Sequence, residues 1–242
     1  MEIEAYLNIA KGKINNKVLK TFILAIMAGV FIALASVLSV VVAKSIDNYS
    51  VAKILSALVF PVGLILVILM KTELFTGNSL LVIPLLNKDI TIGKLLKNWF
   101  IVYLGNIFGS LLITLMIANT PLKSIVCDSF IKIANTKVAL SLSASIIFGI
   151  LCNFLVCLAV YLASNAKTFN EKIIVIFIPI FTFVALSFEH SVANMSYLSF
   201  GYVFDNTLTL GKIIFGNLLP VTIGNIIGGS LLGGVIYYLK KD

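Results

Sequence analysis

Arginine is absent from this 242-residue chain, and histidine and tryptophan occur once each. Charged residues make up only 12% of the sequence against 60% hydrophobic ones, and the mean hydropathy is +1.10. A water-soluble core does not need so much apolar sequence, so the composition excludes an ordinary soluble domain and indicates a polytopic helical membrane protein. The three cysteines, Cys127, Cys152 and Cys157, form no CxxC pair. They read as small buried apolar residues, which leaves no disulfide framework, metal set or cofactor motif. The start of the chain lacks the ordered n-region, short apolar core and cleavage site of a removable signal peptide. Its first span is therefore expected to stay in the protein.

The net charge of +8 comes from lysines scattered over the loops between apolar runs. That pattern fits a lipid bilayer better than a nucleic-acid partner. A membrane-spanning helix needs about 20 apolar residues. Candidate spans run from Val18 to Val42, Val51 to Met70 with a continuation from Leu74 to Leu86, Leu95 to Ala118, Val138 to Ser164, Ile173 to Phe188 with a continuation to Phe200, and Leu210 to Leu239. The expected fold is all-α, with six transmembrane helices, of which the second and fifth are broken. Residues 1–16 carry Ile3, Tyr6, Leu7 and Ile9 against Glu2, Glu4, Asn8 and Lys11, the pattern of a short amphipathic helix on the membrane surface.

In that topology one side of the membrane receives Lys11, Lys13, Lys17, Lys20, Lys88, Lys94, Lys97, Lys167, Lys172, Lys240 and Lys241. The other receives only Lys44, Lys53, Lys123, Lys132, Lys137 and Lys212, so the positive-inside rule puts both termini in the cytoplasm of a multi-pass plasma (inner) membrane protein.

Two polar interruptions match each other: Glu73-Leu74-Phe75-Thr76-Gly77-Asn78 and Glu189-His190-Ser191-Val192-Ala193-Asn194, both Glu-x-x-x-small-Asn. Other features recur as well. Asn98, Gly105, Asn106 and Gly109 have the spacing of Asn217, Gly224, Asn225 and Gly228; Pro61 and Pro179 precede the two breaks; Lys17 leads Gly29 as Lys137 leads Gly149. Residues 17–118 and 137–239 thus read as two three-span repeats within one transmembrane domain. An odd span number inverts the second relative to the first, an arrangement that brings paired broken helices together near the midplane.

Polar breaks inside a membrane mark sites, because nothing else offsets their desolvation. The half-helix that follows each break starts with free N–H groups and a partly positive end, which favours an anion. Thr76 lies at the first break and His190 at the second, where a histidine can donate an N–H or exchange a proton. A bare anion in a low-dielectric constriction suffers a large desolvation penalty, whereas the neutral weak acid largely escapes it. Passage as anion, or as anion plus proton, both follow. Glu73 and Glu189 are expected to be buried in hydrogen bonds to backbone N–H groups of the breaks, with Asn78 and Asn194 structural beside them.

Leu74-Phe75-Thr76-Gly77, the run Gly149-Ile150-Leu151-Cys152-Asn153-Phe154-Leu155-Val156-Cys157-Leu158-Ala159 and the pair Glu189-His190 together resemble the motifs of the formate/nitrite transporter family, over essentially the whole chain. The resemblance implies an aquaporin-like subunit, a homopentamer, and one pathway per subunit for a small monovalent anion: formate, nitrite, hydrosulfide or lactate. It implies His190 as the central pore residue near Thr76 and Asn153, Lys137 at the outer entrance, and Lys17 as its cytoplasmic counterpart. Phe60, Leu64, Phe75, Val156 and Phe183 would form two apolar constrictions. Gly77-Asn78 departs from the serine-rich continuation associated with formate channels, which leaves the hydrosulfide branch open.

Two other readings compete. A neutral-solute channel of aquaporin type would also use two half-helices, but neither break holds Asn-Pro-Ala and the chain has no arginine for a filter. An intramembrane hydrolase using Ser187 or Ser191 with His190 lacks a Gly-x-Ser-x-Gly elbow. A non-enzymatic channel is the favoured expectation.

Overall fold

A backbone shielded from water must satisfy its own N–H and C=O groups, and the apolar runs of this chain do so as helices. The computed structural model describes residues 3–205 and 207–240, and every regular element among them is helical. In chain order they are α1 (Ile3–Asn15), α2 (Val18–Ala43), α3 (Tyr49–Val59), α4 (Val62–Leu69), α5 (Phe75–Asn78), α6 (Val82–Leu86), α7 (Ile92–Ala118), α8 (Leu122–Val138), α9 (Leu142–Asn165), α10 (Phe169–Ala185), α11 (Ser191–Phe204), α12 (Leu210–Ile213) and α13 (Leu219–Lys240). A 3₁₀ turn (Ser79–Leu81) joins α5 to α6, and a π-helical turn (Ile214–Leu218) joins α12 to α13. Glu2 and Lys241, which entered the sequence reading, lie outside the described residues.

Among the described residues, five helical stretches are long and apolar enough to cross a membrane: Val18–Ala43, Tyr49–Leu69, Ile92–Ala118, Leu142–Asn165 and Leu210–Lys240. The remaining apolar sequence is divided into shorter pieces. The fifth expected span becomes α10, of 17 residues, and α11, of 14.

Close helix packing follows from small residues. Gly29 of α2 faces the backbone of Asn106 on α7, and Gly109 of α7 faces the backbone of α2 at Ile26. On the other side Gly149 of α9 faces Val221 and Gly224 of α13, and Gly228 faces Ile150. A Cβ at any of these glycines would overlap the opposing main chain, so the α2/α7 and α9/α13 pairs require them.

The two interruptions share one local geometry. Lys71 (φ 52°) and Ser187 (φ 57°) adopt the left-handed conformation just beyond α4 and α10. Thr72 N–H donates to Val67 O and Phe188 N–H to Phe183 O, each at 3.0 Å, while Lys71 and Ser187 donate to Ile68 O and Val184 O. This is a Schellman ending made without glycine. The chain then runs extended to Leu74 (φ −103°, ψ 123°) and His190 (φ −107°, ψ 113°), which precede α5 and α11.

Two expectations need correction. α1 does not present its apolar face outward: Tyr6, Leu7 and Ala10 are buried against Leu80, Leu81, Ile83 and Tyr161, and Ile9 is left exposed. The register proposed between the first and fourth spans is also displaced by one helical turn. Asn106 Nδ2 donates to Ala25 O, whereas its counterpart Asn225 donates to Gly149 O, so Gly149 matches Ala25 and not Gly29. The same shift makes Lys13, not Lys17, the counterpart of Lys137.

Candidate functional site at the two helix interruptions

Each interruption leaves backbone N–H groups that need acceptors, and an asparagine supplies one in each case. Asn106 accepts from Phe75 N–H at 2.9 Å and donates to Ala25 O and Glu73 O at 2.8 and 3.0 Å. Asn225 accepts from Ser191 N–H at 2.8 Å and donates to Gly149 O and Glu189 O at 2.8 and 2.9 Å. The repeated asparagines noted in the sequence therefore rivet the chain on both sides of each extended segment.

The carboxylates behave differently from expectation. Among the described residues, no backbone N–H holds Glu73 or Glu189; lysine and asparagine side chains hold both, because the asparagines of α7 and α13 reach the nearby backbone groups instead. Glu73 accepts from Lys13 Nζ at 3.0 Å and from Asn78 Nδ2 at 2.6 Å. Lys13 also donates to Asn78 Oδ1, and Asn78 Nδ2 reaches Asn98 Oδ1. Glu189 accepts from Lys137 Nζ at 2.8 Å and from Asn194 Nδ2 and Asn217 Nδ2 at 2.6 and 3.1 Å. Asn194 Nδ2 in turn meets Asn217 Oδ1 at 2.7 Å, and the π-helical turn carries Asn217 into this cluster. Both glutamates are buried, at 1% and 3% exposure, so each charge is compensated where water cannot serve.

Between the two clusters the interruptions meet. His190 caps α11 through Nδ1, which accepts from Ala193 N–H at 2.9 Å. Its other nitrogen, Nε2, lies 2.9 Å from Thr76 Oγ1. An Nδ1 lone pair in use as an acceptor puts the ring proton of the neutral tautomer on Nε2. Nε2–H then donates to Thr76 Oγ1, and the threonine hydroxyl proton is left to turn elsewhere. The Thr76 carbonyl accepts from Asn153 Nδ2 at 3.2 Å and Cys157 Sγ at 3.3 Å, and Asn153 Nδ2 also reaches Asn225 O and Ser79 Oγ. Asn153 thus supports Thr76 from behind without touching the imidazole.

His190 stacks on Phe183 with ring centroids 5.6 Å apart, and Phe183 meets Phe60 edge to face. These three rings, with Ile32, Leu64, Leu74, Val156 and Ile180, enclose a cavity of about 10 Å³, room for about one water. Leu64 and Leu74 also border a second cavity of about 550 Å³ on the α1 side, lined by Lys13, Lys20, Lys71, Glu73 and Lys172 among others. The two leucines are thus the partition between a wide chamber that carries several lysines and a narrow apolar one.

Of the residues singled out in the sequence, His190, Thr76 and Asn153 form one connected group, and Phe60, Leu64, Val156 and Phe183 wall the small cavity. Phe75 lines neither cavity; its ring packs edge to face on Trp99 and Tyr103. Lys17 is exposed ahead of α2 and stands apart from the site. The sequence reading missed Leu74, which occupies in the first break the position His190 holds in the second, and Ile180, one turn from Phe183. It also missed Lys13. The signal for that residue was a lysine placed before Ala25 as Lys137 is before Gly149, obscured by the attractive but misleading glycine match.

Known proteins resemble the chain over nearly its whole length. The family model described as "Formate/nitrite transporter" matches residues 1–239. The chain is 36% identical to the formate channel FocA of Escherichia coli (strain K12), with 93% of this chain and 88% of that protein covered. A solved "FNT family ion channel" superposes with a TM-score of 0.88 at 27% identity, covering 98% of both chains. A solved "Pentameric formate channel with formate bound" gives 0.81 at 31% identity, covering 92% of this chain and 96% of the other. With its apolar helices and this match along nearly its whole length, the chain is a multi-pass membrane protein that belongs to the formate/nitrite transporter family.

Proposed function

We propose that this protein is a channel for small monovalent anions of weak acids, with the pathway running through the 550 Å³ chamber, past Leu64 and Leu74, to the His190–Thr76 pair. The observation that carries the reading is His190, the one polar side chain lining an otherwise apolar cavity, with its Nε2 hydrogen-bonded to Thr76 Oγ1. Formate is the first candidate because two similar proteins are named for it; nitrite and hydrosulfide share its charge and size class.

In this reading residues 1–242 form one transmembrane domain, aquaporin-like in plan. Six crossings fall into two inverted repeats, 17–118 and 137–239, with the second and fifth crossings broken. Support comes from the matched Schellman endings, the matched asparagine rivets and the matched lysine–glutamate pairs. The pentameric relative supports a homopentamer, and the lysine distribution supports cytoplasmic termini in an inner (plasma) membrane protein.

The substrate meets His190, the one polar side chain on the cavity wall, whose Nε2–H is held by Thr76 Oγ1 buried beside it. A proton on Nδ1 would displace the Ala193 N–H bond that caps α11. His190 therefore works as a fixed donor, and a proton that crosses does so on the substrate as the neutral acid. Apolar walls favour that neutral form, since the bare anion bears the desolvation penalty.

Liposome flux tests the reading. Wild-type protein should pass formate, nitrite or hydrosulfide and exclude glycerol, and flux per protein should rise as external pH falls. Selective glycerol flux, or no anion flux, would defeat it. Thr76→Val keeps the shape but removes the hydroxyl and should reduce anion flux at least tenfold with assembly intact.

A further inference from the structure

The two lysine–glutamate clusters differ at one contact, and the difference leaves a buried acceptor without a donor. In the first, Lys13 Nζ donates to Glu73 at 3.0 Å and to Asn78 Oδ1 at 2.9 Å, so it bridges the two side chains. In the second, Lys137 Nζ makes one hydrogen bond among the described residues, to Glu189 at 2.8 Å, and Asn194 Oδ1 is buried with no partner. The Asn194 amide is not free to turn over, because its Nδ2 donates to Glu189 and to Asn217. An orphaned buried acceptor is costly, and Lys137 would satisfy this one by taking the seat that Lys13 takes. Something holds it away.

That something is an aromatic face. Lys137 Nζ lies 5.4 Å from the centroid of the Tyr197 ring, within the range of a cation–π contact. The ring is itself held in place. Ser39 Oγ gives its single proton to Ser36 O at 2.8 Å, so the 3.3 Å contact between Ser39 and Tyr197 is a hydrogen bond donated by the phenol. Phe130 of α8 packs against the same ring, with centroids 5.9 Å apart. Tyr197 stands eight residues after Glu189, and the residue eight after Glu73 is Leu81, buried in the cluster that includes Tyr6, Leu7 and Ala10. Leucine offers no π face, and in that half the lysine goes to the asparagine. The repeat thus carries its own control.

We infer that Tyr197 is the positioning residue of Lys137: its ring draws the ammonium off Asn194 and leaves an N–H available to a small monovalent anion entering opposite the 550 Å³ chamber. An ammonium has three N–H groups. Lys137 commits one to Glu189 and turns toward the ring, whereas Lys13, which lines the chamber, commits two. The entering anion rests on the channel reading; the seat of the lysine does not.

A cryo-EM structure of Tyr197→Leu should show Lys137 Nζ moved to within hydrogen-bond distance of Asn194 Oδ1, as Lys13 meets Asn78. Tyr197→Met keeps the bulk without a π face, should give the same shift, and serves if the leucine variant misfolds. An ammonium that stays away from Asn194 in a folded variant would overturn the inference, whether or not the protein conducts. In liposomes, Tyr197→Leu should raise the apparent KM for formate entering from the outer side about fivefold at an unchanged maximal rate, the factor that one cation–π contact carries. Tyr197→Phe keeps the ring and loses only the hydroxyl, so it should retain the wild-type KM. An unchanged KM in the leucine variant, or a phenylalanine variant as impaired as the leucine one, would refute the positioning role. A shifted lysine in a protein whose wild type passes no anion would keep the seat and overturn the channel reading instead.

Discussion

Removing Lys137 should destabilise the protein far more than removing a lysine outside the two buried pairs, and removing its partner as well should give part of that loss back. The Lys137–Glu189 pair spans 2.8 Å, and Glu189 is 3% exposed. At an effective dielectric constant of 20, the gross attraction across that distance is about 6 kcal/mol. Desolvation of both ions cancels much of it, so the pair as a unit contributes little, but a stranded buried carboxylate costs about 3–5 kcal/mol. Asn194 and Asn217 still donate to Glu189 after the lysine is gone, which favours the lower end. Lys137→Ala should therefore lose about 3 kcal/mol.

Glu189→Gln in the same background removes the stranded charge while keeping an amide oxygen for the two asparagines. The double variant should regain about 1–2 kcal/mol relative to Lys137→Ala, a coupling of the size expected for contacting residues. The assay is reversible unfolding in mixed detergent micelles for the four proteins of the cycle. If Lys137→Ala lost under 0.5 kcal/mol, or if the double variant were less stable than Lys137→Ala, the account of Glu189 as a charge that needs this lysine would be wrong.

Other substitutions probe the scaffold. Ser187 holds φ 57° without being glycine, so Ser187→Gly should stabilise by about 1 kcal/mol in the same unfolding assay. Asn225→Asp keeps the acceptor for Ser191 N–H but loses the donors to Gly149 O and Glu189 O. Glu189 O loses its partner and Gly149 O, inside α9, its second one, which should cost about 1–3 kcal/mol and lower the melting temperature. Asp205 lies beyond α11, where the Asn135 amide and the Thr207 N–H and hydroxyl hold its carboxyl below the ordinary value. A depressed carboxyl stabilises the fold above its unfolded pKa and loses that contribution as pH falls through the folded one. Melting curves between pH 6 and pH 3 should accordingly show a smaller acid-side decline in Asp205→Asn than in wild type.

The positions of the two interruptions were legible because polar residues in an apolar run are costly enough to stand out. Glu73, Asn78, Glu189 and Asn194 had to be doing something, and each lies in a buried polar cluster. Pairwise correspondence within those motifs was legible too, since Asn106 and Asn225 must answer the same unsatisfied N–H. What could not be read was the partner of each carboxylate. A sequence offers several lysines near any glutamate, and the choice of Lys13 over Lys17 is made by how α1 docks through Tyr6 and Ala10, far along the chain from Glu73. Phe75 was misplaced for a related reason. Its neighbour Leu74 sits at the turn into α5 and takes the cavity wall, while Phe75 turns to the aromatic pair on α7.

The relation between Leu74 and His190 explains why a repeated scaffold carries an unrepeated chemistry. Both residues precede a short helix with nearly the same backbone angles, and the N–H groups of the next residues, Phe75 and Ser191, are met by Asn106 and Asn225. With that demand satisfied from α7 and α13, the position before the helix is released from having to cap. In the first half it is an apolar leucine that walls both cavities. In the second it is a histidine, and the remaining Ala193 N–H fixes its ring through Nδ1. Capping here does more than end a helix: it decides which nitrogen carries the proton and points that N–H at Thr76. Replacing His190 by asparagine would preserve the cap, since asparagine is among the best N-cap residues, yet it would leave Thr76 Oγ1 without its donor. Stability and transport should therefore separate in His190→Asn, with the fold kept and the flux lost, because the scaffold needs only the acceptor and the pathway needs the donor.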